Sequence, residues 1–211
     1  MARYTGAVCR LCRKEGTKLF LKGERCFKDS CAIEKRNFPP GQHGTARRGK
    51  VVGYGLQLRE KQKLKRMFGL LELQFKNYFA KAEKMKGVTG ENLLLLLERR
   101  LDNIVHRLGF GSSMSNARQA ILHGHIRVNG KKVDIPSYLV TGGDSITLDE
   151  KYLKNVHVQN ALESARGKGG LLPWLEMNWE TMSGKVLAMP KREDIKYPVS
   201  EHLIVELYSK V

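Results

Sequence analysis

A chain of 211 residues with 38 Lys and Arg against 21 Asp and Glu, net charge +17, is long enough for one or two cores and far more basic than solubility requires. The excess points to phosphate, because an anionic membrane would call for a long amphipathic helix or a lipidation signal, and neither is present. MARYTGAVCR lacks the apolar core of a secretory signal, and the Leu93 to Leu97 run is too short to cross a bilayer, so a cytoplasmic protein is expected.

Residues 1–50 hold thirteen Lys or Arg against Glu15, Glu24, Asp29 and Glu34, with little helical periodicity. Cysteines, Pro39-Pro40-Gly41 and the Gly44 to Gly55 stretch predict a loop-rich module followed by a basic linker, stabilised by something other than a core. All four cysteines lie in Cys9-x-x-Cys12 and Cys26-x4-Cys31, thirteen residues apart. Two close pairs joined by a loop of that length suit one tetrahedral zinc held by four thiolates. Arg10 and Arg13 are expected to lower the thiol pKa values. An iron–sulfur cluster is the second cofactor reading, while an intracellular setting argues against disulfides. A redox role for Cys9-x-x-Cys12 lacks the strand it needs in front. His43 could replace one cysteine or face RNA, and His123 and His125 have no third ligand near them.

From Gly55, glycines at 69, 87, 109 and 124 punctuate what reads as four helices. Leu56 to Phe68 carries Arg59, Lys61, Lys63, Lys65 and Arg66 around a thin apolar stripe, too basic for full burial. Leu71, Phe75, Tyr78, Phe79, Ala82 and Met85 form one core stripe; Leu93, Leu94, Leu97, Leu101, Ile104, Val105 and Leu108 form another. Leu101 to Asp134 then reads as two helices and a hairpin. The first ends at Gly109, the second starts at a capping Ser113 and stops before Gly124, and Asn129-Gly130 turns two short strands back on each other. His125, Arg127, Lys131 and Lys132 surround that turn.

Gly142-Gly143-Asp144 leads into a Ser145 to Leu148 strand. One helix is predicted over Tyr152 to Ala165, broken at Gly167 to Gly170, and Leu175, Met177 and Trp179 alternate as in a strand. Val186 to Met189 is expected to pair with it through a Ser183-Gly184 turn. Pro190 and Pro198 bracket a linker before a helix capped by Ser200, with Leu203, Ile204, Leu207 and Tyr208 on one side. The fold class is α+β: a zinc-sized N-terminal module and linker (1–50), a helical domain (51–98) packed by the C-terminal helix (199–211), and a nucleic-acid-binding domain (99–198, core 99–150).

Three basic regions in one chain favour nucleic acid over a merely solvated surface. The helix from Met114 to His123 exposes Ser115, Asn116 and Gln119 with Arg118 as its sole cation before His123, which suits shape and backbone reading. Phe68, Phe75, Phe79 and Tyr78 fall on core stripes rather than between cations, so structured RNA is preferred to single strands. No phosphate loop, Gly-x-Ser-x-Gly elbow or His-Glu-x-x-His sequence occurs. Glu98 and Asp102, with Arg99, Arg100 and Arg107 nearby, read as paired structural charges, and no enzyme is expected.

An ordered set of motifs carries a family resemblance. Arg3-Tyr4, the cysteine pairs, Pro39 to Gly44, Leu58 to Lys63, Leu101-Asp-Asn103, Arg107 to Phe110, Ala117-Arg-Gln119, His123-Gly-His125, Val128-Asn-Gly130, Pro136-Ser-Tyr138 and Pro198 to Ser209 together resemble the bacterial S-four family of small-subunit ribosomal proteins. The resemblance implies a zinc-type module, a helical domain, and a helix-helix-hairpin RNA-binding domain with a small mixed β-sheet. It implies direct binding to the 5′ domain of small-subunit ribosomal RNA, nucleation of the subunit body, contacts with the fifth and other small-subunit proteins, and a contribution to translational accuracy. No homo-oligomer is implied. The alternative role is repression of its own operon through messenger RNA.

The RNA-binding positions that the resemblance carries over are Arg3, Arg10, Arg13, Lys22, His43, Arg47, Arg48, Arg59, Lys61, Lys63, Arg66, Arg118, Gln119, His123, His125, Arg127, Asn129, Lys131 and Lys132. Met114, Ser115 and Asn116 stand where several relatives are basic, which predicts fewer phosphate contacts at that helix start. Some relatives lack the cysteines, so zinc would support folding of the module rather than the family's role.

Overall fold

The computed structural model describes residues 3–46, 49–167, 172–195 and 197–210. In chain order the helices are α1 (Cys9–Glu15), α2 (Ala32–Lys35), α3 (Tyr54–Met67), α4 (Glu72–Lys84), α5 (Thr89–Glu98), α6 (Leu101–Arg107), α7 (Met114–Leu122), α8 (Glu150–Leu153), α9 (Val156–Gly167) and α10 (Glu201–Ser209). The strands are β1 (Ile126–Val128), β2 (Lys131–Lys132), β3 (Ser145–Leu148), β4 (Leu175–Asn178) and β5 (Ser183–Val186). They divide into two compact units, Met1–Leu93 with Tyr197–Val211, and Leu94–Lys196. The cysteine segment and the basic helix α3 fall in the same unit.

In the first unit α1 stops at Gly16, whose φ of 70° takes the left-handed cap. Cys12, Leu19, Cys31 and Ile33 then bury one another, with Leu11, Leu21 and Met67 against them. The module thus has a small apolar core of its own, contrary to the expectation of none, because its thiols serve as hydrophobes. On α3 only Gln57, Lys61 and Leu64 are buried, and α10 packs along it. Gln57 donates to Glu206 at 2.8 Å, and the rings of Phe79 and Tyr208 stack at 4.2 Å. Ser200 sits at the start of α10 without a side-chain cap; its amide donates to Glu60 at 3.1 Å.

The second unit lays α6, α7 and α9 on one face of a sheet ordered β2-β1-β3-β5-β4. Every pairing is antiparallel, so the mixed sheet expected from resemblance is corrected: β1–β2 and β4–β5 are hairpins, and the β3 to β4 connection, which carries α8 and α9, leads to a strand that pairs with β5 and not with β3. Ile126, Val128, Ile146, Leu148, Leu175, Met177 and Val186 point into the core with Leu101, Ile104, Val105, Leu108 and Phe110.

Three boundaries differ from the sequence reading, each for a local reason. The Leu93 to Leu108 stripe is two helices, because Arg100 is extended (φ −66°, ψ 136°) and bridges Leu139, while Val140 donates to the Arg99 carbonyl at 2.9 Å. The helix expected over Tyr152 to Ala165 is also two, α8 and α9, since the Asn155 carboxamide accepts the His157 amide at 2.9 Å and starts a new turn. Ser183 and Gly184 lie inside β5 rather than in a turn. The reversal occurs earlier, where Asn178 accepts the amides of Glu180 and Thr181 and Met182 takes φ 48°.

Candidate nucleic-acid interface

The α6–α7–hairpin segment is positioned from within by charge. Arg100 and Asp102, each with 1% of its side chain exposed, form a two-point ion pair at 3.0 and 2.6 Å. Asn103 donates to Glu98 at 2.6 Å, and Arg107 reaches the other Glu98 oxygen at 3.1 Å. Arg118 extends this network, 3.8 Å from Asp102 and 6% exposed as a residue. Arg118, expected on RNA as the sole cation of its helix before His123, is therefore part of the scaffold. At the start of that helix Ser113 accepts the Asn116 amide at 3.3 Å, the cap that the sequence indicates.

The hairpin turn is locked in the same manner. Asn129 and Gly130 have φ of 50° and 76°, as a tight two-residue turn with right-handed strand twist requires. Asn129 donates to Asp144 at 2.7 Å and accepts the Ser145 amide at 2.8 Å, so both polar atoms of a residue expected on RNA are spent on the turn. Asp144 also accepts the Thr141 amide at 2.7 Å and its hydroxyl at 3.0 Å. Burial alone would push the Asp144 carboxyl up; these bonds from Thr141 and Asn129 outweigh it and hold the carboxyl below its usual range.

What the scaffold presents is a cationic edge beside a groove. Lys131 and Lys132 are exposed on β2, the edge strand, and Lys132 stands opposite Arg127. Arg127 is also exposed and makes one partly screened ion pair with Asp149 at 3.1 Å. Gly124, at φ 73°, lets the Lys132 side chain lie over its backbone, where any Cβ would overlap it. Next to this edge a groove of about 560 Å³ is lined by Gln119, His123 and His125 from the expected set, and outside it by Asn116, Ala120, Lys151, Tyr152, Asn155, His157 and the acid Asp149. His125 stacks flat on Tyr152, with ring centroids 4.1 Å apart and planes 7° apart. Burial pushes the Tyr152 hydroxyl up, so this ring stays neutral at working pH. No sequence signal marks Lys151 to His157, because the break between α8 and α9 is what brings them to the groove.

In the first unit the expected contacts divide sharply. Arg3, Arg10, Lys22 and His43 are exposed; Arg47 and Arg48 lie outside the described residues. Arg13 instead donates to the carbonyls of Phe38 and Pro39 at 2.9 and 3.3 Å and lies over the Phe38 ring. Arg59 and Arg66 converge on Glu15, whose side chain is 1% exposed. Burial pushes the Glu15 carboxyl up, and the two guanidiniums pull it back only in part. Lys61 pairs with Glu72 and lies over the Tyr208 ring, while Lys63 pairs with Glu60 and donates to the Pro198 carbonyl at 3.2 Å. Helix α3 thus uses much of its charge to hold its own unit together.

The four cysteines line one small cavity with Val8, Leu21, Lys22, Ala32 and Ile33, and none is in a disulfide. The Lys22 amide donates to the Cys26 sulfur at 3.4 Å. Burial pushes the Cys12 and Cys26 thiols up, whereas the flanking arginines were expected to bring thiols down; Arg13 is occupied elsewhere. Among the described residues no three His, Cys, Asp or Glu side chains stand in a metal-holding arrangement. The donor chemistry of four thiols on one cavity is that of a thiophilic ion.

The helix pair, locked hairpin and cationic edge define a nucleic-acid-binding module, joined in this chain to a second basic unit. Residues 3–98 match the Ribosomal protein S4/S9 N-terminal domain, and residues 99–146 match the S4 domain. The chain is 60% identical over 210 residues to small ribosomal subunit protein uS4A of Alkaliphilus oremlandii, and 59% identical over 212 residues to uS4 of Halothermothrix orenii. It is 58% identical to uS4 of Thermodesulfovibrio yellowstonii; all three alignments cover 100% of both chains. The chain belongs to the uS4 family of small ribosomal subunit proteins. Among the described residues no helix is long and apolar enough to cross a membrane.

Proposed function

We propose that this chain is a non-enzymatic structural constituent of the small ribosomal subunit that binds the 5′ domain of its ribosomal RNA and nucleates the subunit body. The observation that supports the binding surface is the division of cations. Arg100 and Arg118 share Asp102 and Arg59 and Arg66 share Glu15, so these cations are held to internal acids, while Lys131 and Lys132 are exposed beside the His123–His125 groove and pair with no acid among the described residues. A locked turn fixes where these lysines start, so the backbone under them is not reordered when they meet phosphate. Contact with the fifth small-subunit protein and the contribution to accuracy rest on family membership alone.

Titration of the whole protein against a 5′-domain RNA over a salt series tests this reading. Log affinity is expected to fall linearly with log salt, at roughly −0.7 to −0.9 per phosphate neutralised. Equal affinity for an unrelated RNA duplex at matched salt would sink it. An unchanged RNA mass after incubation is the expected result for a protein without catalytic activity.

The same reading includes one zinc ion held by Cys9, Cys12, Cys26 and Cys31, with an iron–sulfur cluster as the lesser alternative. Its support is the convergence of four free thiols on one cavity and the amide donated to Cys26. A metal there would hold α1 and the Gly23–Cys26 turn to α2 and would bind the sulfurs as thiolates. Elemental analysis of anaerobically purified protein is expected to find one zinc per chain; fewer than one metal per two chains counts against it.

A further inference from the structure

Between the cysteine pairs the chain does something the module's small core does not explain. Leu19 is buried and Leu21 half-buried, yet Phe20 between them is 43% exposed and Phe27 is 60% exposed. The two rings stack on each other in the open, with centroids 5.0 Å apart and planes inclined by 28°. Phe20 holds φ at 52°, a backbone conformation that bulky residues rarely adopt, and so turns its ring outward while both leucines face in. Lys22, Arg25 and Lys28 interleave with the pair against Glu24 within the same stretch, while Lys18 is paired with Glu34 at 2.6 Å. An apolar pair that sits among cations is poorly suited to an apolar protein surface and well suited to a base with its phosphate. The ring faces take the base, and the lysines take the charge beside it.

We propose that the Phe20–Phe27 pair is a stacking platform for an unpaired base of the ribosomal RNA, a contact separate from the hairpin edge and groove. It rests on the proposed function for the identity of the RNA. Stacking adds affinity without releasing counterions, so its loss leaves the salt dependence unchanged, unlike the loss of a phosphate contact.

The experiment compares the whole protein with Phe20→Asn, Phe27→Ala and the double variant against the 5′-domain RNA over a salt series. Asn tolerates a positive φ, so Phe20→Asn is expected to keep or raise the melting temperature while it weakens binding. Each substitution is expected to weaken binding roughly 5- to 100-fold at an unchanged salt slope, and Phe27→Tyr to restore it. Ultraviolet cross-linking of the wild-type complex is expected to place an RNA adduct on Phe20 or Phe27. Variant affinity within twofold of wild type overturns the platform, as does weakening that tracks a fall in melting temperature or a change in salt slope. If a variant does not fold, absence of an adduct on both rings of the wild type overturns it. Failure of the wild type to prefer this RNA would overturn the proposed function instead, so the two failures are distinct.

Discussion

Asn129 and Lys132 lie three residues apart on one hairpin and have opposite jobs. Asn129 gives its whole side chain to Asp144 and Ser145; Lys132 lies over Gly124 and faces outward. Asp144→Ala leaves Asn129 and the Thr141 amide without their acceptor, and urea denaturation is expected to show a loss of about 1–3 kcal/mol. The sign of its pH dependence follows from the depressed carboxyl. The folded protein binds the proton less readily than the unfolded chain, so the stabilisation is complete above about pH 4, the unfolded carboxylate value, and drains away as pH falls through the lower folded value. In Asp144→Asn that part of the acid dependence should vanish from a pH series of melts. Lys131→Ala with Lys132→Ala should leave the melting temperature within error and lower the salt slope of RNA binding by roughly two. Arg118 belongs with the first kind of residue. Arg118→Ala removes the second, longer partner of the buried Asp102, which keeps its two-point pair with Arg100, and is expected to lower stability by about 1–3 kcal/mol in the same denaturation assay.

Elements in the second unit are fitted to one another through absent side chains. Gly184 sits mid-strand in β5, where a Cβ would overlap the Leu108 methyls. That contact keeps α6 close to the sheet and explains why Gly184 belongs to a strand although glycine usually ends one. Gly184→Ala is expected to cost about 1–3 kcal/mol with an unchanged denaturant slope, and Leu108→Ala in that background to cost less than it does alone. The interruption between α5 and α6 is of the same order of organisation. The apolar stripe runs through Arg100 without a gap, but the backbone there spends its hydrogen bonds on Tyr138 and Val140. A continuous helix would forfeit those bonds and separate Arg100 from Asp102. The helix pair and its hairpin were legible because Ser113, Gly124 and Asn129-Gly130 are local signals, each sufficient for its own turn.

Across the whole chain both tryptophans, Trp174 and Trp179, belong to the second unit, so indole emission reports on that unit and not on the cysteine segment. Cys9→Ser with Cys12→Ser is therefore expected to speed proteolysis between residues 1 and 46 while the emission spectrum stays unchanged; a red shift would count against this division. The sequence by itself determined the family, the helix pair with its hairpin, and the clustering of four thiols. These depend on residue type and spacing, which act locally. It could not tell which cations are held by internal acids and which stand exposed, since Arg59, Arg66 and Arg118 look in the sequence just like Lys131 and Lys132. Only the tertiary structure brought Glu15 and Asp102 to the former and left the latter open, and only it turned Phe20 and Phe27 outward. The physical reason is that a charge is spent or available according to the acid that folding brings within a few ångströms, often from dozens of residues away.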